Sequence, residues 1–328
     1  MIFDAHLDLS LNAIEWNRDL RKSVEEVRKN ESHLDDLQGR GNGTVTFPSM
    51  REGDIGICVA TQLAGCMKPA APVGVKAFTY FPGAEEPYKS LYSKIMLFNR
   101  GHGEPLALVD GTTVTFWRTA GISGLATRLL SREDSETMLL LGTGNLASYI
   151  IKANLSVRNL KRVLVWGRDI EKAKSVINSV IENYSDVEFE AVEDRQSACG
   201  EADIIVAATG SHEPLVHGEW VKSGTHTDFI GNHHADKREC DTELIKKSKV
   251  YADSRVNAFK EAGEILVPIS EGEFTEDGVV AELNEMCSGK AVLRESDDEI
   301  TLFKSIGMAM SDLVGAGLAY NNVIKQDS

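Results

Sequence analysis

Basic side chains are in deficit along this chain: 35 lysines and arginines stand against 50 aspartates and glutamates, a formal net charge of −15 over 328 residues. Such a chain lacks the positive footprint that nucleic acid or an anionic membrane surface requires. Neither is an expected partner, and any anionic ligand must be caught by a locally positive site. Long apolar runs are missing as well. No stretch of about eighteen apolar residues occurs, and the opening Met1-Ile2-Phe3-Asp4 carries neither the basic nor the apolar region of a secretory signal, so the expected location is the cytoplasm. Cysteine is scarce: Cys58, Cys66, Cys199, Cys240 and Cys287 are odd in number and far apart, with no Cys-x-x-Cys pair. That argues against a disulfide frame or a zinc site and fits reduced thiols. No internal repeat or low-complexity linker interrupts the chain. Its length and 42% hydrophobic content suffice for a large core and point to two domains.

What the chain does carry is a strand that ends in glycines. Thr137-Met138-Leu139-Leu140-Leu141 runs into Gly142-Thr143-Gly144-Asn145-Leu146-Ala147 and then into a helical pattern reaching about residue 157. Gly142 permits a sharp turn, Gly144 has no Cβ to hold a phosphate away, and Ala147 is small enough for helix to pack on strand. The helix N-terminus adds free N–H groups and the positive end of a dipole. A glycine triplet alone also suits a plain structural turn, but a second strand over 162–166 follows at the spacing of a βαβ unit. Residues 142–147 are therefore the expected cradle of a dinucleotide pyrophosphate. Thr209, just past a strand over 204–208, is a further expected cofactor contact.

The end of the second strand lacks the acid that usually accepts from an NAD ribose; Gly167-Arg168 stands there instead. A guanidinium matches phosphate geometry, and Lys172 adds charge, partly offset by Asp169. The reading favours NADP(H), with NAD(H) possible and a solvated surface arginine as the plain alternative.

Elsewhere the pattern predicts a helix over 17–29 and short strands near 44–47, 55–60 and 73–80, followed by a hairpin of 94–98 with 105–111 around 99–103. A helix over 119–130 leads into alternating strands and helices, with later strands at 187–191, 204–208, 227–230 and 250–253. This is the signature of a parallel, doubly wound sheet. A last apolar helix is expected over 305–323. The expected fold class is α/β: a Rossmann domain over 119–305, and a smaller mixed α+β domain, for substrate binding and dimerisation, from 1–118 plus 306–328.

The ordered blocks Gly74-Val75-Lys76, Phe81-Pro82-Gly83, Gly103-Glu104-Pro105, Arg118-Thr119-Ala120, Gly142-Thr143-Gly144, Gly218-Glu219-Trp220, Lys237-Arg238-Glu239 and Phe303-Lys304-Ser305-Ile306-Gly307 resemble the ornithine cyclodeaminase and mu-crystallin family over about 73–320. The resemblance implies an NAD(P)-dependent homodimer that transfers hydride at the carbon bearing an amino acid nitrogen. It also implies that Lys76 and Arg118 contact substrate and that Arg51 is a third cation. The chemistry agrees, since an α-imino acid offers a carboxylate that cations must hold. Where cyclodeaminases of the family carry an Asp two residues after the glycine at Gly231, this chain has His233. A neutral imidazole can move a proton but supplies no lasting negative charge, which favours imine reduction, with His233 and Lys76 as candidate catalytic groups. No metal site is expected from His226, His233, His234 and Asp236.

The first seventy or so residues, with Asp4-Ala5-His6-Leu7-Asp8 and Gly43-Thr44-Val45-Thr46-Phe47-Pro48, resemble the start of the membrane dipeptidase family, in which a His-x-Asp pair binds metal. Two ligands alone build no catalytic zinc site, so a borrowed segment of the small domain is the expectation. The expected function is NAD(P)H-dependent reduction of an α-imino acid, of ketimine or pyrroline-2-carboxylate type, or an amino acid dehydrogenase reaction. The alternatives are ornithine cyclodeamination and a non-catalytic NADP(H)-binding role.

Overall fold

The computed structural model describes residues 2–4, 18–19, 21–34, 48, 55–58, 72–81, 83–85 and 87–326. Arg51, the His6/Asp8 pair and the strand expected at 44–47 lie outside them. Two compact units are present: Met1–Thr113 with Asp312–Ser328, and Val114–Ser311.

In the first unit, β1 (Ile2–Asp4) and β2 (Ile55–Cys58) pair in parallel. Helix α1 (Val24–Glu31) starts later than the apolar pattern implied, because Ser23 and Glu26 form a capping box. Arg18, expected inside the helix, instead reaches forward to grip Glu31 with two hydrogen bonds of 2.6 and 2.8 Å. Strands β3 (Val73–Tyr80), β4 (Leu91–Phe98) and β5 (Pro105–Asp110) form an antiparallel meander: the β4–β5 hairpin is the one expected, and β3 adds to its other edge. In β4, Ser93, Ile95 and Leu97 are buried while Tyr92, Lys94 and Met96 are exposed, so one face of this sheet packs inward. The C-terminal helix (Ala309–Gln326) lies on that inner side. A Cβ at Gly74 would sit 2.8 Å from Leu313 Cδ1, so glycine there admits the helix.

Helix α2 (Gly111–Leu130) begins well before the expected residue 119. Thr112, Thr113 and Thr115 are β-branched and read poorly as helix, but local bonds override propensity. Ser93 N–H donates to Thr112 Oγ1 at 2.8 Å, and Thr113 Oγ1 donates to Asp110 Oδ2 at 2.6 Å.

The second unit is built on eight parallel strands: β6 (Thr137–Leu141), β7 (Arg162–Trp166), β8 (Glu188–Val192), β9 (Ile204–Ala207), β10 (His226–Phe229), β11 (Ser248–Ala252), β12 (Val279–Glu282) and β13 (Ile300–Lys304). Their order is β12-β11-β13-β10-β9-β6-β7-β8, which reverses direction between β6 and β9, the switch point of a doubly wound sheet. Helices α3 (Ala147–Leu155), α4 (Ile170–Asn178), α5 (Arg195–Glu201), α6 (Thr242–Lys247), α7 (Arg255–Glu261), α8 (Gly263–Ser270) and α9 (Leu283–Cys287) complete it. Both faces of the sheet are covered. Leu139, Leu141, Ile205, Phe229 and Leu302 pack on one side, and Met138, Leu140, Ile150, Val163 and Val206 on the other. Strands β12 and β13 escaped the pattern reading, β13 because its apolar core is short and closes on a lysine. The C-terminal helix starts at Ala309 rather than 305, because Ser305 Oγ and the N–H groups of Ile306 and Gly307 all donate to Asp253 Oδ2, at 2.9, 3.0 and 2.6 Å. No helix among the described residues is long and apolar enough to cross a membrane.

One strand breaks the apolar rule. In β10, His226, Thr227 and Asp228 are all fully buried. His226 Nδ1 lies 3.0 Å from Thr301 Oγ1, and burial pushes its pKa down to about 3, so the ring is neutral. Neither oxygen of Asp228 has a well-formed hydrogen bond; Ser123 is the hydroxyl that faces it. Burial pushes the Asp228 pKa up from 3.8 to about 7. The folded state therefore holds a proton that the unfolded chain releases, and the stability this provides is complete below pH 3.8 and lost as pH rises to about 7. Asp228→Asn, which stays neutral, should raise the melting temperature at pH 8 and lose that advantage progressively toward pH 4. Parallel melting curves for the two proteins across this range would show that Asp228 does not titrate there.

Candidate functional site

Strand β6 delivers the chain into a loop that is bare of side-chain partners. Gly142 has φ +124°, a backbone conformation that favours glycine, and a Cβ there would lie 2.5 Å from Ala208 O. A Cβ on Gly144 would meet nothing within 4 Å. Helix α3 has Leu146 at its N-cap and no side chain accepting from its first turn, whereas Asp169, Asp194 and Asp241 cap α4, α5 and α6. The N–H groups and dipole end of such a helix start, next to open space, suit an anionic ligand. Ala147 is buried against the sheet, as its small size requires. The chemistry of this donor set fits a pyrophosphate.

At the end of β7, a Cβ on Gly167 would press to 2.5 Å from Thr143 Cγ2, so the loop of 142–146 and the β7 end touch. Arg168 is exposed. The carboxylate of Asp169 is used locally, accepting from Glu171 N–H at 3.0 Å as the cap of α4. At the position just after β7, where NAD-selective folds place an acid, the chain has Gly167-Arg168.

Beyond β9 and β10 the loops are tied together. Thr209 N–H and Oγ1 both donate to Glu239 Oε1 at 2.6 Å, and Gly231 N–H donates to Glu239 Oε2 at 2.8 Å. Thr209, expected to serve the cofactor, thus spends both donors on Glu239. Asn232 Nδ2 donates to Ser211 O at 2.6 Å, and Lys304 Nζ donates to Asn232 O at 2.8 Å. Lys304 is completely buried and 2.8 Å from Glu264 Oε2, itself completely buried, while Glu264 Oε1 accepts from Glu239 N–H at 3.0 Å. Contacts run from Gly167 through Thr143, Gly142 and Thr209 to Gly231, a continuous rim along the C-terminal ends of β7, β6, β9 and β10.

The turn after Gly231 presents His233 and His234 with their rings stacked at 4.6 Å. His233 is exposed at its edge, yet partial desolvation, then the neighbouring His234, hold its pKa below that of a free imidazole. The shift favours the uncharged ring. Among the described residues, no group of three or more His, Cys, Asp or Glu side chains is placed to hold a metal.

The two described cations of the substrate set fall in different units. On β3 of the first unit, Lys76 Nζ lies 2.8 Å from Asp312 Oδ1 on the C-terminal helix, with both side chains largely buried. On α2 of the second unit, the Arg118 guanidinium rests against Gly307, which has φ +94° and where a Cβ would come within 2.7 Å of it. Asp253 holds the Gly307 N–H, and Asn257 Nδ2 donates to Gly307 O at 3.0 Å, so the surface under Arg118 is fixed. The pattern reading missed Asp253, Asp312, Glu239, Glu264 and Lys304. A signal for Lys304 was present: like Lys76, it is a lysine in an otherwise apolar strand, where an unpaired charge would be costly.

An eight-stranded doubly wound sheet with a glycine-led, uncapped helix at its switch point defines a Rossmann protein. The chain belongs to the ornithine cyclodeaminase/mu-crystallin family, whose family model matches residues 45–327. It is 51% identical over 246 residues, covering 74% of this chain and 78% of the relative, to a Delta(1)-pyrroline-2-carboxylate reductase of Colwellia psychrerythraea. A solved Delta(1)-pyrroline-2-carboxylate reductase of Thermococcus litoralis, in complex with NADH and L-proline, superposes with a TM-score of 0.74 at 28% identity, covering 100% of this chain and 98% of that one. An archaeal alanine dehydrogenase dimer with bound NAD follows with a TM-score of 0.73 at 30% identity, covering 79% of each chain.

Because Gly144 faces open space, Gly144→Val should leave the fold and melting temperature nearly unchanged while placing a side chain where the phosphate approaches. Calorimetric titration with NADPH should then show binding lost. Undiminished affinity in the folded variant would remove this loop from the site.

Proposed function

We propose that this chain is an NAD(P)H-dependent reductase of α-imino acids, with Δ1-pyrroline-2-carboxylate as the leading substrate. The relatives' activities support the class, and the observation that carries the choice within the family is the turn after Gly231. Release of ammonia from a diamino acid calls for a lasting negative charge, and Asn232-His233-His234 supplies none. Reduction of a C=N bond needs only a hydride at carbon and a proton at nitrogen.

The residues of 142–147 would hold the pyrophosphate, and Arg168 the 2′-phosphate of NADP(H), the favoured form. The bound NADH and NAD of the structural neighbours support a nicotinamide cofactor. What such a cofactor supplies when bound is a hydride for the imine carbon. Arg118, its planar fork seated on Gly307, binds the substrate carboxylate. Lys76 holds the proton at the imine nitrogen, and Asp312 aims the flexible ammonium there. Arg51 is a third cation for the carboxylate. His233, whose surroundings favour the uncharged ring, contributes hydrogen bonding at the turn rather than the proton. The second unit, Val114–Ser311, would be the cofactor domain and the first, Met1–Thr113 with Asp312–Ser328, the substrate and dimerisation domain, with boundaries within about six residues of those expected at 118/119 and 305/306. A homodimer would cover the outer face of the small sheet, where Leu108, 68% exposed, lies opposite Met96. Work in the cytoplasm suits the buried thiols of Cys199 and Cys240.

The test is oxidation of NADPH followed spectrophotometrically with five- and six-membered cyclic imino acids and linear ones, beside ammonia release from ornithine. Turnover with a cyclic imine and none with ornithine is the expected result; binding of NADPH without oxidation of any substrate would favour the non-catalytic reading.

Two substitutions sharpen it. NADPH should bind more tightly than NADH at equal ionic strength, and Arg168→Ala should erase most of the difference, since a charge-assisted contact contributes roughly 1.5 to 3 kcal/mol. A wild-type preference for NADH would overturn that assignment. Asp312→Asn should lower kcat between about tenfold and a hundredfold while NADPH affinity is unchanged, because the lysine head loses its direction. An unaltered kcat would reduce the pair to a structural contact.

A further inference from the structure

The carboxylate of Glu239 is completely buried and holds two strand ends at once. Its Oε1 accepts from the N–H and the hydroxyl of Thr209, just past β9, and its Oε2 from the N–H of Gly231, just past β10. The fit is close: a Cβ on Gly231 would overlap the Thr209 backbone. The strands β9 and β10 lie on the far side of the switch point from β7 and β8, so their ends serve the second mononucleotide half of a dinucleotide.

We propose that Glu239 is a positioning residue for the nicotinamide half of the cofactor: ionised, it clamps the loops after β9 and β10 at one spacing and so sets the turn of 231–234. This rests on the cofactor reading above. Lys304 of β13 is the counter-charge, and it also fixes the turn directly through Asn232 O. Glu264 of α8 both neutralises Lys304 and anchors the Glu239 backbone. The other ionisable groups facing Glu239 are the buried carboxyl of Asp228 on β10 and the thiol of Cys240 beside it.

Three donors converge on the Glu239 oxygens, and a protonated carboxyl would turn a donor of its own against one of them. The clamp is therefore complete only in the ionised form. Burial pushes the Glu239 pKa up to about 7, with Glu264 adding to the rise and Lys304 and the Thr209 donors opposing it. The clamp consequently loosens as pH falls through neutrality.

The experiment compares two probes by calorimetry: NADPH, and 2′-phospho-ADP-ribose, which has the same adenosine half and no nicotinamide. In Glu239→Gln, NADPH affinity should fall about tenfold or more, the loss of a charge-assisted hydrogen bond, while the fragment binds as before. In wild type, the ratio of the two affinities should fall severalfold from pH 8 to pH 6, and in Glu239→Gln it should be flat. The 2′-phosphate titrates in both probes and cancels in the ratio. Equal losses for both probes, or a pH-independent ratio in wild type, would overturn the proposal; the wild-type ratio decides alone if the variant does not fold. Failure of wild type to bind either probe would instead reject the cofactor reading, and this inference with it.

Discussion

One buried positive charge, the ammonium of Lys304, organises the end of the sheet on which the candidate site is built. It sits at the last position of β13, wholly removed from water, against Glu264, and holds Asn232 O. An isolated charge at such a place is prohibitive, and the pair is supported by bonds from Lys304 to Asn232 O and from Glu239 N–H to Glu264 Oε1. Glu264 accepts from the Glu239 backbone, and the Glu239 side chain in turn accepts from Thr209 and Gly231. Buried acids and one lysine thus convert a row of loose strand ends into a rigid rim. Removing the lysine would leave uncompensated carboxylates in the core, a larger penalty than any single contact at the rim contributes.

The same economy of charge explains how a chain with a net charge of −15 can handle an anionic cofactor and substrate. Positive groups are few and locally placed. The uncapped start of α3 offers backbone N–H groups, in place of cationic side chains, to the pyrophosphate it is proposed to hold. Arg118 rests on glycine backbone held by Asp253, and Lys76 is aimed by Asp312. In each case a carboxylate behind the cation or its platform fixes geometry, which matters more to hydride transfer than added charge would.

The Rossmann half was legible in sequence because its signals are local. Strand β7 was read to its observed limits of 162–166, and residues 142–147 announce a turn, a close approach and a helix start within a few positions. The β4–β5 hairpin of the small sheet was equally clear from the turn at 99–103. What stayed hidden depends on pairs distant in the chain. Arg18 leaves its helical pattern for Glu31, Thr112 begins a helix because it bonds Ser93, and Asp253 delays the C-terminal helix by holding Ser305, Ile306 and Gly307. Thr209 looked like a cofactor contact, and only its bonds to Glu239 show its donors already taken. Strand β13 was concealed by its own lysine, the residue that turned out to govern the site. His233 was recognisable as a departure from the family pattern, but its lowered pKa follows from its surroundings, partial desolvation and His234, which no motif announces.

If hydride passes to the imine carbon of a cyclic α-imino acid, the atom itself can be followed. The enzyme is supplied with Δ1-pyrroline-2-carboxylate and NADPH deuterated on the transferring face of nicotinamide C4, and the product is examined by mass spectrometry and NMR. Proline carrying one deuterium at Cα is the predicted product. Proline without deuterium at that carbon, or no proline at all while NADPH remains bound, would contradict hydride transfer to that carbon.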